Sequence, residues 1–389
     1  MKAVFFRGLV MLPALLLTLL PVFAAKSDSS FTIHGTLRTF REGRVVLIRQ
    51  YSTGQDVDTV TISGGKFSFK GKLKDDIVSA MLTMTVPVSA EQLAANPFAS
   101  MSARMFYLTP GNIVVTGNRL EDVAFAGNKE MKEWMQLEGQ LAPFSKASSR
   151  IAVQYRKLYA MPDFPGKADS LAAYAREGEE IGRGYRDAEM NFLKAHSSSL
   201  LGMALLRSKM AMVDTKDAAE MESLIAGLAP ALRNRKDMQE HAARMRLLRS
   251  LAAGNPAPDF SIADTSGNPI SLSSYRGKYV LVEFWASWCG PCRAQIPYLL
   301  KSYEAFKGKN FDILGVSIDG DRHKWISAIS EEKLIWTQVS ELTGHKSEIM
   351  AKYGVTAIPT NFLVGPDGLI VATNLWSDEL YVKLKGLLK

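Results

Sequence analysis

Cys289 and Cys292 are the only two cysteines in this chain of 389 residues, and both stand in one run, Cys289-Gly-Pro-Cys292. Two thiols three residues apart can cycle between dithiol and disulfide. They cannot staple a disulfide-dense scaffold, and they supply only half of a four-ligand zinc site. The histidines at 34, 196, 241, 323 and 345 are scattered, with no ligand-spaced pair to complete such a site, so no metal is expected. Upstream of the pair, Glu283 interrupts the apolar run Tyr279-Val-Leu-Val-Glu-Phe-Trp. A carboxylate buried without a partner is expensive, so Glu283 is expected to be protonated or functionally paired. An ion pair with a neighbouring lysine such as Lys278 is the alternative.

The run 279–285 has strand character, and Cys292 to Phe306 carries helical spacing at Ile296, Leu299, Leu300, Tyr303 and Phe306. The cysteines therefore fall where a buried strand turns into a helix. The first turn of a helix has unpaired N–H groups and a partial positive charge, which stabilise a thiolate. Cys289, at the outer end, is expected to be the nucleophile. Cys292, one helical turn further on, is placed to attack a mixed disulfide. Gly290 and Pro291 permit the tight turn, and Pro291 lacks an N–H that the first turn could not use. Arg293 is a candidate for favouring the thiolate, or a plain surface arginine.

Four segments precede or contain this site. Residues 1–25 have Lys2 and Arg7, then an apolar run from Leu9 to Phe23, then small residues, which is the layout of a secretory signal peptide. An exported protein without a membrane span after cleavage is the expectation. Residues 26–128 alternate apolar and polar in short runs broken by turns such as Gly64-Gly65, predicting a β-rich, antiparallel domain. Residues 129–253 change to helical spacing: a face through Leu171, Tyr174, Ile181, Tyr185, Ala188 and Phe192, then helices over 199–212, 216–228 and 230–252. Gly254-Asn-Pro-Ala-Pro258 reads as a linker before the last segment, 254–389. The formal charge of +8 lies wholly upstream of the cysteines, since 14 basic residues face 14 acidic ones from Asn255 onwards. Without a basic block or aromatic-interleaved basic run, this surplus reads as a solvated face and no nucleic acid is expected as partner.

Trp285-Ala-Ser-Trp-Cys-Gly-Pro-Cys-Arg, with Ala257-Pro-Asp-Phe before it and Tyr353-Gly-Val-Thr-Ala-Ile-Pro-Thr and Phe362-Leu-Val-Gly-Pro-Asp-Gly after it, resembles the TlpA/ResA-type thiol:disulfide oxidoreductases of the bacterial envelope. The β-rich and helical regions together resemble the N-terminal extension of two-part members. The resemblance implies an α/β thioredoxin fold over 254–389, nucleophile and resolving roles for Cys289 and Cys292, and a cis Ile358–Pro359 bond that puts Pro359 beside the dithiol. Glu283 departs from that type, whose members often carry a neutral residue there, towards thioredoxins, in which an acid at the matching position relays the proton of the resolving cysteine. The expected client-contact surface is Trp288, Gly290, Pro291 and Ile358. Trp285 is expected to shield the site or simply to pack. The stretch 319–345 resembles the insertion of that type.

The implied activity is periplasmic or otherwise exported reduction of protein disulfides, without a cofactor, with an envelope electron donor or acceptor as second partner. Gly-Pro between the cysteines, as in thioredoxin, favours the reducing direction. An oxidase or isomerase, or a client-binding chaperone with a subsidiary thioredoxin part, are the alternatives.

Overall fold

The computed structural model describes residues 29–388, apart from 52, 87–88, 90, 92–99 and 212. The expected signal peptide and its cleavage site lie outside these residues. The chain divides after Met131 into two compact units.

The first unit is one sheet of eight strands: β1 (Ser30–Leu37), β2 (Glu42–Tyr51), β3 (Gly54–Ser63), β4 (Lys66–Lys72), β5 (Val78–Thr85), β6 (Met101–Leu108), β7 (Gly111–Gly117) and β8 (Ala124–Ala126). Their order across the sheet is β6-β5-β2-β3-β4-β1-β7-β8. Alternation works as expected: in β5, Val78, Ala80, Leu82 and Met84 point into the core while their neighbours are half-buried or exposed. Gly64 and Gly65, both at positive φ, make the turn between β3 and β4. One pair departs from the antiparallel expectation. β1 runs parallel to β7, with Ile33 opposite Ile113, because these strands are joined through the rest of the sheet and not by a hairpin.

The second unit, Lys132–Lys389, contains both the helical region and the C-terminal α/β part. Helices α1 (Lys129–Ala160) and α2 (Lys167–Ala195) pair lengthwise, with Gly184 giving way to the ring of Phe144. The predicted face of α2 is only half-buried until Met190, Phe192 and Leu193, where further helices cover it. These are α3 (Leu200–Met210), α4 (Ala218–Gly227), α5 (Pro230–Arg233) and α6 (Lys236–Ser250). Ser199 caps α3 by accepting from the N–H groups of Leu201 and Gly202. The single helix expected over 230–252 is two helices. Arg235 is extended, and the Gln239 side chain donates to the Arg233 carbonyl, which has lost its helical partner.

The segment 254–258 ends α6 as its breakers predict, but it is no free linker. Gly254 N–H donates to the Ile370 carbonyl, Ile370 N–H to Asn255, and Ala257 N–H to Gly368. Prolines forbid a helix there and leave the backbone free to pair with a strand.

After a short hairpin, β9 (Ser261–Ala263) and β10 (Pro269–Ser271), comes the main sheet. It holds β11 (Tyr279–Trp285), β12 (Phe311–Ser317), β13 (Thr337–Ser340), β14 (Thr360–Val364) and β15 (Ile370–Thr373), in the order β13-β12-β11-β14-β15. β11, β12 and β13 are parallel; β14 and β15 are antiparallel. Helices α7 (Gly290–Phe306), α8 (Arg322–Glu331), α9 (Glu348–Lys352) and α10 (Glu379–Leu387) complete it. β11 is buried along nearly its whole length, which explains its unbroken apolar run. Among the described residues no helix is long and apolar enough to cross a membrane.

Candidate active site: a dithiol at a helix start

β11 ends at Trp285, and four residues later Cys289 is the N-cap of α7. Cys289 and Cys292 are joined by a disulfide, with Cα atoms 5.3 Å apart. The Cys289 sulfur accepts the Cys292 backbone N–H at 3.1 Å, so one orphan donor of the helix start is aimed at the sulfur expected to carry charge. Exposure does not separate the two: Cys289 is 3% exposed and Cys292 2%. The distinction between them is position at the cap.

The loop before Cys289 is tied down by a buried carboxylate. Asp319, just beyond β12, accepts from Ser287 N–H at 2.9 Å, from the Ser287 hydroxyl at 2.6 Å and from the Ser317 hydroxyl at 2.7 Å. The two bonds from Ser287 hold the residue two positions before the cap.

Glu283 sits mid-strand in β11, between Gly315 of β12 and Asn361 of β14, and is 4% exposed. Burial pushes its carboxyl up to about 8, opposed only by a hydrogen bond with the Asn361 side chain. Lys278 pairs with Asp312 at 3.9 Å, so the ion-pair alternative for Glu283 falls away. Glu283 Oε2 and Gln338 Nε2 are both buried without a hydrogen-bond partner. Both residues line a cavity of about 10 Å³ together with Trp285, Cys292, Ile296, Leu299, Leu334 and Trp336. That is room for about one water molecule, so Glu283 and Cys292 line one small, mostly apolar pocket whose polar groups are the Glu283 carboxyl and the Gln338 amide. The Gln338 amide occupies space that a Cβ on Gly315 would take, since an alanine there would come within 2.2 Å of it.

Trp285 is a core residue: it is 3% exposed and its indole N–H donates to Gln338 Oε1 at 2.9 Å. Trp288 is 57% exposed at the mouth of the site. Arg293 is engaged away from the sulfur, pairing with Glu332 and with Glu331 at 3.1 Å on α8. The hydrogen bond and charge of Glu332, then those of Glu331, hold its guanidinium above its ordinary value.

The Ile358–Pro359 bond is cis. Phe284 of β11 pairs with Thr360 of β14, so Pro359 lies at the sheet end from which the chain leaves β11 towards Cys289. The structure therefore brings Cys289, Cys292, Trp288, Gly290, Pro291, Ile358 and Pro359 to one end of the sheet, with Glu283 one layer beneath. Spacing and strand pattern pointed to Cys289, Cys292, Glu283 and the Gly290-Pro291 entry, whereas Ile358 and Pro359 were implied by the family resemblance. Both missed Asp319 and Gln338, whose only signal was the polar ending of two strands, Ser317-Ile-Asp319 and Thr337-Gln-Val-Ser340.

Residues 253–373 match the AhpC/TSA family. Residues 31–134 match a domain of unknown function, DUF4369. The thiol-disulfide oxidoreductase ResA of Bacillus anthracis is 31% identical over 136 residues, 35% of this chain and 76% of that protein. The chain belongs to the AhpC/TSA family, among its thiol-disulfide oxidoreductases. ResA of Bacillus subtilis is 31% identical over 122 residues, and the match spans 66% of that relative's length. Among solved structures, the thioredoxin domain of a thiol-disulfide oxidoreductase from Bacteroides vulgatus is 42% identical, covering 36% of this chain and 100% of that one at a TM-score of 0.34. A thiol:disulfide interchange protein DsbE from Chlorobium tepidum is 28% identical, covering 36% and 97% at 0.32. The AhpC/TSA match and the ResA relatives meet the expected family placement and C-terminal thioredoxin-like fold, and the DUF4369 match falls on the β-rich extension.

Proposed function

We propose that this chain is an exported reductase of protein disulfides that works through the Cys289/Cys292 couple. The observation that carries the reading is the Cys289 sulfur at the cap of α7, bonded to Cys292 and accepting its N–H. In the reduced enzyme the Cys289 thiolate attacks one sulfur of a client disulfide and expels the other client sulfur as a thiolate, which takes a proton from solvent. Cys292 then attacks the Cys289 sulfur of the mixed disulfide. The Cys289–Cys292 bond forms, the client is released with its second thiol, and two electrons have passed to it. Cys292 must lose its proton in that second step, and Glu283 is the acid–base group within the same pocket. Trp288, Gly290, Pro291, Ile358 and Pro359 form the surface that meets the client. An electron donor of the envelope restores the dithiol.

Insulin reduction followed by turbidity tests the reading: the full chain is expected to be active and Cys289→Ser inert, while Cys292→Ser accumulates mixed disulfides. The direction is tested by the reduction potential of the couple, where about 30 mV corresponds to about 1.4 kcal/mol. A potential in the range of thioredoxin supports a reductase. One as high as that of a periplasmic oxidase overturns the direction.

A further inference from the structure

Between the helical region and the cis-proline end of the sheet lies a groove of about 550 Å³. Asp214, Lys216 and Arg244 line it from the helices, and Thr356, Pro359 and Trp376 from the thioredoxin-like part. The helices are fastened to this end of the sheet. Asp214 Oδ1 accepts from the Asn374 side chain at 3.0 Å, and the hydroxyls of Thr215 and Thr373 meet at 2.9 Å.

The charged groups of the groove are unequally matched. Asp214 is held by neutral donors, since its Oδ1 also accepts from Thr215 N–H at 2.6 Å and from the Thr215 hydroxyl at 3.2 Å. Glu379, also in the lining, accepts Trp376 N–H at 2.8 Å, within its own helix start. Arg244, half-buried on α6, has neutral partners only among the described residues: the Met210 carbonyl and, at 3.4 Å, the Thr356 hydroxyl. Its Nε is buried with no acceptor. Burial alone pushes its guanidinium below its ordinary value, a cost that an anion in the groove would offset. Thr356 precedes Pro359 by three residues, so the two are at most about 10 Å apart, and Arg244, Thr356 and Pro359 line the same groove.

Resting on the dithiol reading above, we infer that the helical region supplies the second wall of the client groove, with Arg244 receiving a carboxylate side chain of an extended client about three residues from its reactive cysteine. The two-part architecture then has a role in selection: the thioredoxin-like part carries the exchange, and α6 reads the neighbouring sequence. A guanidinium offers paired N–H donors to a carboxylate, a geometry that a neutral amide cannot match.

The test uses the full-length chain and N-acetylated, C-amidated peptides whose single cysteine is disulfide-bonded to mercaptoethanol. The peptides differ only in Glu, Gln or Lys three residues before or three residues after the cysteine. At low salt the reduced protein is expected to favour Glu over Gln on one side by about tenfold in kcat/KM, and high salt should shrink the ratio. Arg244→Gln should bring the ratio to near one, and Arg244→Glu should invert it in favour of a Lys peptide. Arg246→Gln, an exposed change on the same helix, should keep the wild-type ratio. If Arg244 were only a pin between the helices and Thr356, Arg244→Gln would slow both peptides equally and leave the ratio intact, which overturns the inference. A wild-type ratio near one on both sides also overturns it. If the wild type fails even on hydroxyethyl disulfide, the dithiol reading falls and takes the groove with it; activity without preference removes the groove alone.

Discussion

Glu283→Gln separates a proton carrier from a structural acid. In the unfolded chain the carboxyl titrates near 4.5, and in the folded protein burial raises it to about 8. An acid whose folded value is raised holds its proton more tightly in the native state, so it weakens the fold as pH rises through the unfolded value. The penalty stops growing above the folded value. With 3.5 pH units between the two and 1.36 kcal/mol per unit, the full cost is about 5 kcal/mol above pH 8, about 3 kcal/mol at pH 7 and below about 1 kcal/mol at pH 5. Removing the titration should therefore stabilise the oxidised protein by about 3 kcal/mol at pH 7. It should flatten by about 4 kcal/mol the fall in stability between pH 5 and pH 9. Urea melts of both proteins at pH 5, 7 and 9 read this directly. In stopped-flow fluorescence the same change should slow resolution of the mixed disulfide by about a hundredfold, and far less the first attack by Cys289. Parallel stability curves for the two proteins would refute the buried-acid argument, and unaltered resolution would end the relay.

In the reduced protein, Cys289 should be alkylated by iodoacetamide faster than Cys292 near neutral pH, because the helix cap favours its thiolate; faster labelling of Cys292, read by mass spectrometry, reverses the roles. Asp319→Ala leaves the Ser287 N–H and two hydroxyls without their buried acceptor. It should destabilise the fold by about 2 kcal/mol or more and lower the rate of client attack, measured by urea melt and insulin assay. A fragment starting at Asn255 should keep exchange activity on hydroxyethyl disulfide. It should nevertheless be less stable than one starting at Lys236 by about 2 kcal/mol or more, since Leu251 is 0% exposed and belongs to the core around β11. Equal urea midpoints for the two fragments would contradict that packing.

The candidate reacting groups Cys289, Cys292 and Glu283 were legible because each announces itself locally, as two cysteines in one turn and an acid inside an apolar strand, whereas Pro359 was implied by the resemblance of its loop. What escaped is what only topology assembles. Gln338 and Glu283 are 55 residues apart in sequence and meet because β13 and β11 flank β12, with Gly315 leaving the space between them. Nothing local to its helix marks Arg244, since the loop at Thr356 that it reaches lies 112 residues later. Likewise the breakers at 254–258 spoke correctly of where α6 ends, whereas their strand-like pairing with residues 368–370 depends on a hairpin formed far downstream.

That pairing has a consequence for solubility. β15 and β13 are the outer strands of the main sheet, and outer strands offer unpaired N–H and C=O groups to any other chain. Residues 254–257 shield the start of the β15 edge, through the Pro256–Leu369 bridge and its flanking hydrogen bonds. On the opposite side the Asp264–Val339 bridge lays the β9–β10 hairpin against β13. On the proposed function, the enzyme meets extended client segments in every cycle. Guarding both flanks of its sheet discourages such segments from adding as rogue strands, and Pro256 and Pro258 reinforce the guard because neither can donate to a further ladder.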